Sequence, residues 1–126
     1  MKVKSVSSLT CYVLDLDKTV QFYSDLGFDF KTDDGDMAVG YINWFSIKFL
    51  KISAEEDAEF KKEAHSEEKG AGIYIYLSVE DVDEAYKELV AKGYKPSSEP
   101  RDWPWGNREF VIRDPDGYKL VLFAKK

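Results

Sequence analysis

Residues 13–28 recur at 79–94 with an offset of 66 positions and no gap. Val13 falls on Val79, Asp15 on Asp81, Leu16 on Val82, Asp17 on Asp83, Gly27 on Gly93 and Phe28 on Tyr94. Each match has a physical role. An apolar strand ends at Val13 or Val79. The aspartate two residues later has the short carboxylate favoured at a helix N-cap. Leu16, Val20, Tyr23 and Leu26, with Phe22 beside them, then form one apolar stripe at helical spacing. Val82, Ala85, Tyr86, Leu89 and Val90 form the other. Gly27 or Gly93 stands where a glycine ends a helix, and an aromatic then opens the next strand. Chance seldom makes spacing and chemistry agree twice, so the chain reads as one module used in tandem.

After each helix come two short alternating stretches, 37–43 and 45–52 in the first half, 107–113 and 118–124 in the second. Asp114-Pro115-Asp116-Gly117 reads as a tight turn between the second pair. Residues 95–106, with three prolines, read as a loop. The fold class is therefore α+β, with tandem βαβββ modules in a single domain over 1–126. Module 1 spans about 1–53, a linker about 54–70, and module 2 about 71–126. Alternation gives each strand two faces. Leu9, Cys11 and Val13 oppose Ser8, Thr10 and Tyr12. Ile73, Ile75, Leu77 and Val79 oppose Tyr74, Tyr76 and Ser78. Leu120, Leu122 and Ala124 oppose Lys119, Val121 and Phe123. The aliphatic faces belong under the helices. The mixed polar and aromatic faces suit a ligand pocket, or an ordinary sheet surface that meets water or a partner subunit.

Composition narrows the function classes. A third of the 126 residues are charged, and no run approaches the ~20 apolar residues of a membrane span. The first residues lack the apolar core and small-residue cleavage site of a signal peptide. Cys11 is the only cysteine, so no intrachain disulfide forms. A cytoplasmic protein is the expectation. The net charge of −6 argues against nucleic acid, and it is compatible with a cationic ligand or with solubility alone. His65, the one histidine, lies in the charged run 55–69, which reads as a solvated helix or a mobile loop. One isolated histidine does not build a multi-histidine zinc site.

The segments Pro104-Trp105-Gly106-Asn107-Arg108-Glu109-Phe110 and Asp114-Pro115-Asp116-Gly117 resemble the C-terminal signature of the vicinal oxygen chelate superfamily. Asp15-Leu16-Asp17, Phe22-Tyr23 and Leu26-Gly27-Phe28 resemble its first module. That superfamily includes glyoxalase I, fosfomycin-resistance thiol transferases, extradiol dioxygenases and bleomycin-resistance proteins. The resemblance implies paired βαβββ modules forming a cupped mixed sheet (the glyoxalase/bleomycin-resistance fold), often completed by a homodimer. Metal-using members take ligands from the first and last strands of each module. By position these fall on Ser8, Tyr74 and Val121, with a fourth near 47–49. None is a carboxylate or an imidazole, so neither metal nor cofactor is expected.

The missing ligands, the acidic balance and the Trp105-Gly106 to Phe110 segment are similar to the bleomycin-resistance branch. That resemblance implies a metal-free antibiotic-resistance dimer that sequesters a small, cationic or aromatic ligand in an aromatic-lined cleft. Trp103 and Trp105, flanking Pro104, are the foremost candidates for ligand contact, one lining the cleft and the other buried as a lid on the core. Tyr41, Trp44, Tyr74, Tyr12, Arg108 and Glu109 complete the candidate set. Arg108 and Glu109 alternatively pair with each other or with the turn. No catalytic residue is assigned. The alternative is a glyoxalase-like lyase or isomerase with a divergent non-metal site, in which Tyr74, Tyr12, Glu109 or Asp102 serves as acid or base. A third reading is an interaction module whose cup is closed by side chains or by a partner.

Overall fold

The computed structural model describes residues 1–126, the side chains at positions 32 and 33 excepted. The fold is α+β and divides into two units, Met1–Glu67 and Glu68–Lys126. The first holds β1 (Leu9–Val13), α1 (Leu16–Asp25), β2 (Asp29–Asp33), β3 (Met37–Ile42), β4 (Phe45–Lys51), a 3₁₀ turn (Ile52–Ala54) and α2 (Ala58–Ala64). The second holds β5 (Tyr74–Ser78), α3 (Val82–Ala91), β6 (Arg101–Asp102), β7 (Asn107–Arg113) and β8 (Lys119–Lys125). Each unit has a four-stranded mixed sheet, ordered β1-β4-β3-β2 and β5-β8-β7-β6. In each, the first strand pairs in parallel with the last and the other pairs are antiparallel. The duplication is thus one of topology as well as of sequence.

The repeated residues do the same work in both units. Asp15 accepts the amide of Lys18 at 3.2 Å, and Asp81 that of Glu84 at 3.0 Å, each capping its helix. Both helices end in the same way. Gly27 donates to Ser24 and Phe28 to Tyr23; Gly93 donates to Val90 and Tyr94 to Leu89. The two glycines have φ of 100° and 94°, where a Cβ is strained. Phe28 packs edge-on to Tyr23 across the first stop, the apolar contact that accompanies this motif.

Each helix covers the aliphatic face of its own sheet. In unit 1, Leu16, Phe22 and Tyr23 are buried with Cys11, Val13, Ala38, Ile47 and Phe49. In unit 2, Val82 and Leu89 are buried with Phe110, Ile112, Leu120 and Leu122. Full burial of one such side chain contributes about 1.5–3 kcal/mol. The buried stripe of α1 is turned slightly from the expected one. Thr19 is buried, while Val20 and Leu26 are only partly covered. The Thr19 hydroxyl donates to the Asp15 carbonyl at 3.1 Å, which satisfies it inside the core. In α3, Val90 is 46% exposed and stands outside the stripe.

Two expectations change in unit 2. The proline-rich loop contains a strand, β6, two residues long and paired with Arg108 and Glu109. Tyr94 closes the helix stop without opening a strand, because Pro96 and Pro100 lack the amide a ladder needs. The charged run contains α2, whose Ala64 is buried and whose residues belong to unit 1. His65 caps the end of α2 and is exposed. Among the described residues no helix is long and apolar enough to cross a membrane.

Candidate functional site

The β6–β7 connection builds the most distinctive surface of unit 2. Trp103 donates its amide to Asn107 at 2.8 Å, and Gly106 donates to Trp103 at 3.1 Å. Pro104 presets the first corner of this turn, and Gly106 supplies a φ of 94°. Residues two apart on an extended chain share a side. Arg101 and Trp103 therefore share a side, and the turn brings Trp105 into line with them as a ladder. The two indoles stack with centroids 4.7 Å apart and planes at 11°. The Arg101 guanidinium lies 3.5 Å from the Trp103 centroid. Trp105 donates its indole N–H to Glu109 Oε2 at 3.1 Å, and the Asn107 amide donates to the same oxygen at 3.2 Å. Glu109 is buried, while Trp105 remains 60% exposed.

This placement corrects the expectation that one tryptophan is buried as a lid. Neither is buried: Trp103 is partly covered and Trp105 is open. Stacking and the Glu109 hydrogen bond fix them at the surface, so the core does not need them. Nor do Arg108 and Glu109 pair with each other. As neighbours on β7 they point to opposite faces. Arg108 donates to both carboxylate oxygens of Asp83 on α3, at 3.0 and 2.9 Å, and to Asp102 at 3.1 Å. It acts as a clamp on the helix side, away from the ladder. The Arg108 hydrogen bonds hold the Asp83 carboxyl below its ordinary range. Lys126 first, then Arg108, does the same for Asp102.

Further along the ladder's face of the same sheet, Tyr74 is 54% exposed with the Lys119 ammonium 4.1 Å from its ring centroid. Tyr76 packs edge-on to Phe123. The remaining candidates belong to unit 1. Tyr41 carries Lys31 over its ring at 5.0 Å. Trp44, 91% exposed, sits in the β3–β4 turn beside Asn43, whose φ is 52°. Tyr12 donates to Glu55 Oε2 at 2.7 Å. Burial, then the bond to Glu55 and the charges of Glu55, Glu63 and Asp57, push the Tyr12 phenol up to about 12. Tyr12 and Tyr41 do not meet: they lie opposite Leu50 and Ser46, toward the two ends of β4.

The sequence profile of the Glyoxalase/Bleomycin resistance protein/Dioxygenase superfamily matches residues 5–122. The chain belongs to this superfamily. It is 32% identical over 116 residues to the uncharacterized protein YraH of Bacillus subtilis, covering 88% of this chain and 91% of that one. A superfamily member from Sphaerobacter thermophilus is 27% identical, superposes with a TM-score of 0.73 and covers 98% of both chains. The hypothetical protein SA1046 from S. aureus shares the fold with a TM-score of 0.77 at 21% identity, covering 98% of this chain and 95% of its own.

Strand register now places the position that metal-using superfamily members fill in module 1. Leu9 pairs with Ile47, and its repeat equivalent Ile75 pairs with Leu120. Ile47 therefore corresponds to Leu120, and Lys48 to Val121. The four positions hold Ser8, Lys48, Tyr74 and Val121. An ammonium repels a cation, a valine offers no donor, and a neutral hydroxyl is a weak ligand. These residues do not fit a divalent metal. Among the described residues no group of three or more His, Cys, Asp or Glu side chains is placed to hold one.

Two residues of the ladder's face were missed by sequence reasoning. Arg101 was legible as the start of an Arg-x-Trp-x-Trp alternation, but the loop reading of 95–106 hid it. Lys119 could be read onto the mixed face of its strand, but its place over Tyr74 depends on the pairing of β5 with β8.

Proposed function

We propose that this superfamily member is a small-molecule binding protein that works without a metal and holds a planar aromatic ligand against Trp105. The observation that carries the reading is the exposed indole, fixed by a stacked neighbour and by a buried carboxylate. A large ring that is open to solvent yet immobilised loses little conformational freedom on binding, which is what a stacking platform requires. Two of its own candidates give the acid–base alternative no support. Tyr12 keeps its proton near neutral pH, and Asp102 is held ionised by Lys126 and Arg108.

Intrinsic tryptophan emission, titrated with bleomycin and with simple planar aromatics, tests the reading. At least one of them quenches the emission saturably, and Trp105→Ala weakens that ligand by about 0.5–1.5 kcal/mol, roughly two- to tenfold. Failure of every compound to bind would sink the reading. A homodimer and a cytoplasmic setting, both suggested by the family resemblance and the single cysteine, belong to the same proposal. Sedimentation equilibrium at twice the 14.5 kDa chain mass supports the dimer, and the single-chain mass removes it.

A further inference from the structure

Two acids of unit 2 are buried, and only one of them is accounted for by the fold. Asp114, 5% exposed, accepts the amides of Asp116 and Tyr118 and so closes the β7–β8 turn. Glu109 is 4% exposed on the face of β7 that carries the ladder. Its donors are neutral and both reach the same atom. Trp105 Nε1 and Asn107 Nδ2 donate to Oε2, at 3.1 and 3.2 Å. Among the described residues nothing donates to Oε1. No fully buried side-chain oxygen or nitrogen among them lacks a partner, so Oε1 reaches solvent through the small gap left in the cover of Glu109. Nor does a cation neutralise the group. Arg101 stands opposite on β6, yet its guanidinium lies over Trp103, and Glu109 forms no ion pair among the described residues.

A carboxylate has room for donors on both oxygens, and one enclosed to this degree binds the next donor strongly. The Trp105 hydrogen bond sets that carboxylate at the pyrrole edge of the exposed indole. A ring packed on the open face of Trp105 lies beside Glu109 without passing Trp103, and a substituent on its edge meets the bare oxygen. The substituent has to be a donor. An anionic group there faces the Glu109 charge at close range. An ammonium enters a face on which strand alternation sets Arg101, Arg113, Lys119 and Lys125. A neutral hydroxyl meets neither repulsion, and O–H on a carboxylate oxygen is a short, strong hydrogen bond.

We infer that the ligand of this site is a neutral hydroxyaromatic, its ring packed on Trp105 and its hydroxyl donating to Glu109 Oε1. The inference rests on the binding reading above and adds to it the chemical class of the ligand.

Calorimetric titration of the intact protein with four probes of matched ring size tests it: 2-naphthol, 2-methoxynaphthalene, 2-naphthoate and 2-naphthylmethylammonium. Naphthol binds tightest. The ether, which keeps the ring and loses the donor, is weaker by about three- to tenfold. The anion and the cation are both weaker than naphthol. Glu109→Gln keeps the size and an acceptor for Trp105, and its amide donates to an ether oxygen as readily as to a hydroxyl. The gap between naphthol and the ether therefore closes in that variant. Its melting temperature shows whether it folds, and if it does not, the ranking of the four probes by the parent protein decides alone. An ether that binds the parent protein as tightly as naphthol overturns the inference while leaving the binding reading intact. So does a tighter anion or cation, or a folded Glu109→Gln protein that keeps the full preference for naphthol. Heat from none of the four probes removes both.

Discussion

Single side chains here act through what immobilises them. Trp105 is open to solvent, but its indole N–H is anchored on a buried carboxylate. Tyr12 shows the same logic with a titratable group. Its phenol is raised to about 12 by burial and by Glu55, above the usual value of 10 in an unfolded chain. The folded state therefore retains this proton longer than the unfolded state. The Tyr12 contribution to stability is intact below pH 10 and is lost as pH rises through 12. Denaturant titrations across that alkaline window should show a steeper fall for the parent protein than for Tyr12→Phe. Equal slopes would mean that the phenol does not sense Glu55. The roles of Trp105 and Tyr12 were only half legible in the sequence. Their residue types and faces could be read, whereas Glu109 and Glu55 as partners could not, because each contact depends on how a turn closes.

At the scale of the element, the repeat is a statement about helix ends. Asp15 and Asp81 cap, and Gly27 and Gly93 stop, with matching hydrogen-bond patterns. Alanine at either glycine meets no neighbouring atom within 4 Å, so its cost is conformational alone. Gly27→Ala and Gly93→Ala should each lower stability by roughly 1–2 kcal/mol. Chemical denaturation of both variants checks this, and a loss at only one site would break the equivalence of the two modules. These ends were legible because capping is local: the side chain and the amide it serves lie three residues apart. β6 was not legible. Two residues between prolines carry no periodicity, and the strand exists only because β7 offers it an edge.

The whole molecule presents two units of one topology and a set of ligand positions filled by the wrong chemistry for a metal. Ser8, Lys48, Tyr74 and Val121 share no anionic donor. Zinc titration followed by calorimetry should show no stoichiometric site, and treatment with a chelator should leave both the melting temperature and the affinity for an aromatic probe unchanged. Tight one-to-one zinc binding would require donors from elsewhere in the chain. Charge works at this scale too. The net value is compatible with a cationic ligand or with solubility alone, yet the strands of unit 2 set Arg101, Arg113, Lys119 and Lys125 on one face against Glu109 alone, and a binding surface responds to local sign.

The sequence by itself determined the module, its duplication, the helix ends and the family, because these rest on local spacing, on its recurrence 66 positions later and on the two-sidedness of strands. It also identified three of the four ligand positions as unfit for metal. Tertiary structure alone decided that Lys48 is the fourth, that Arg108 serves the helix side, and that Arg101, Trp103 and Trp105 stand in one ladder on a positive face. Those facts depend on strand register and on turn closure, which bring together residues that no local pattern in the chain connects.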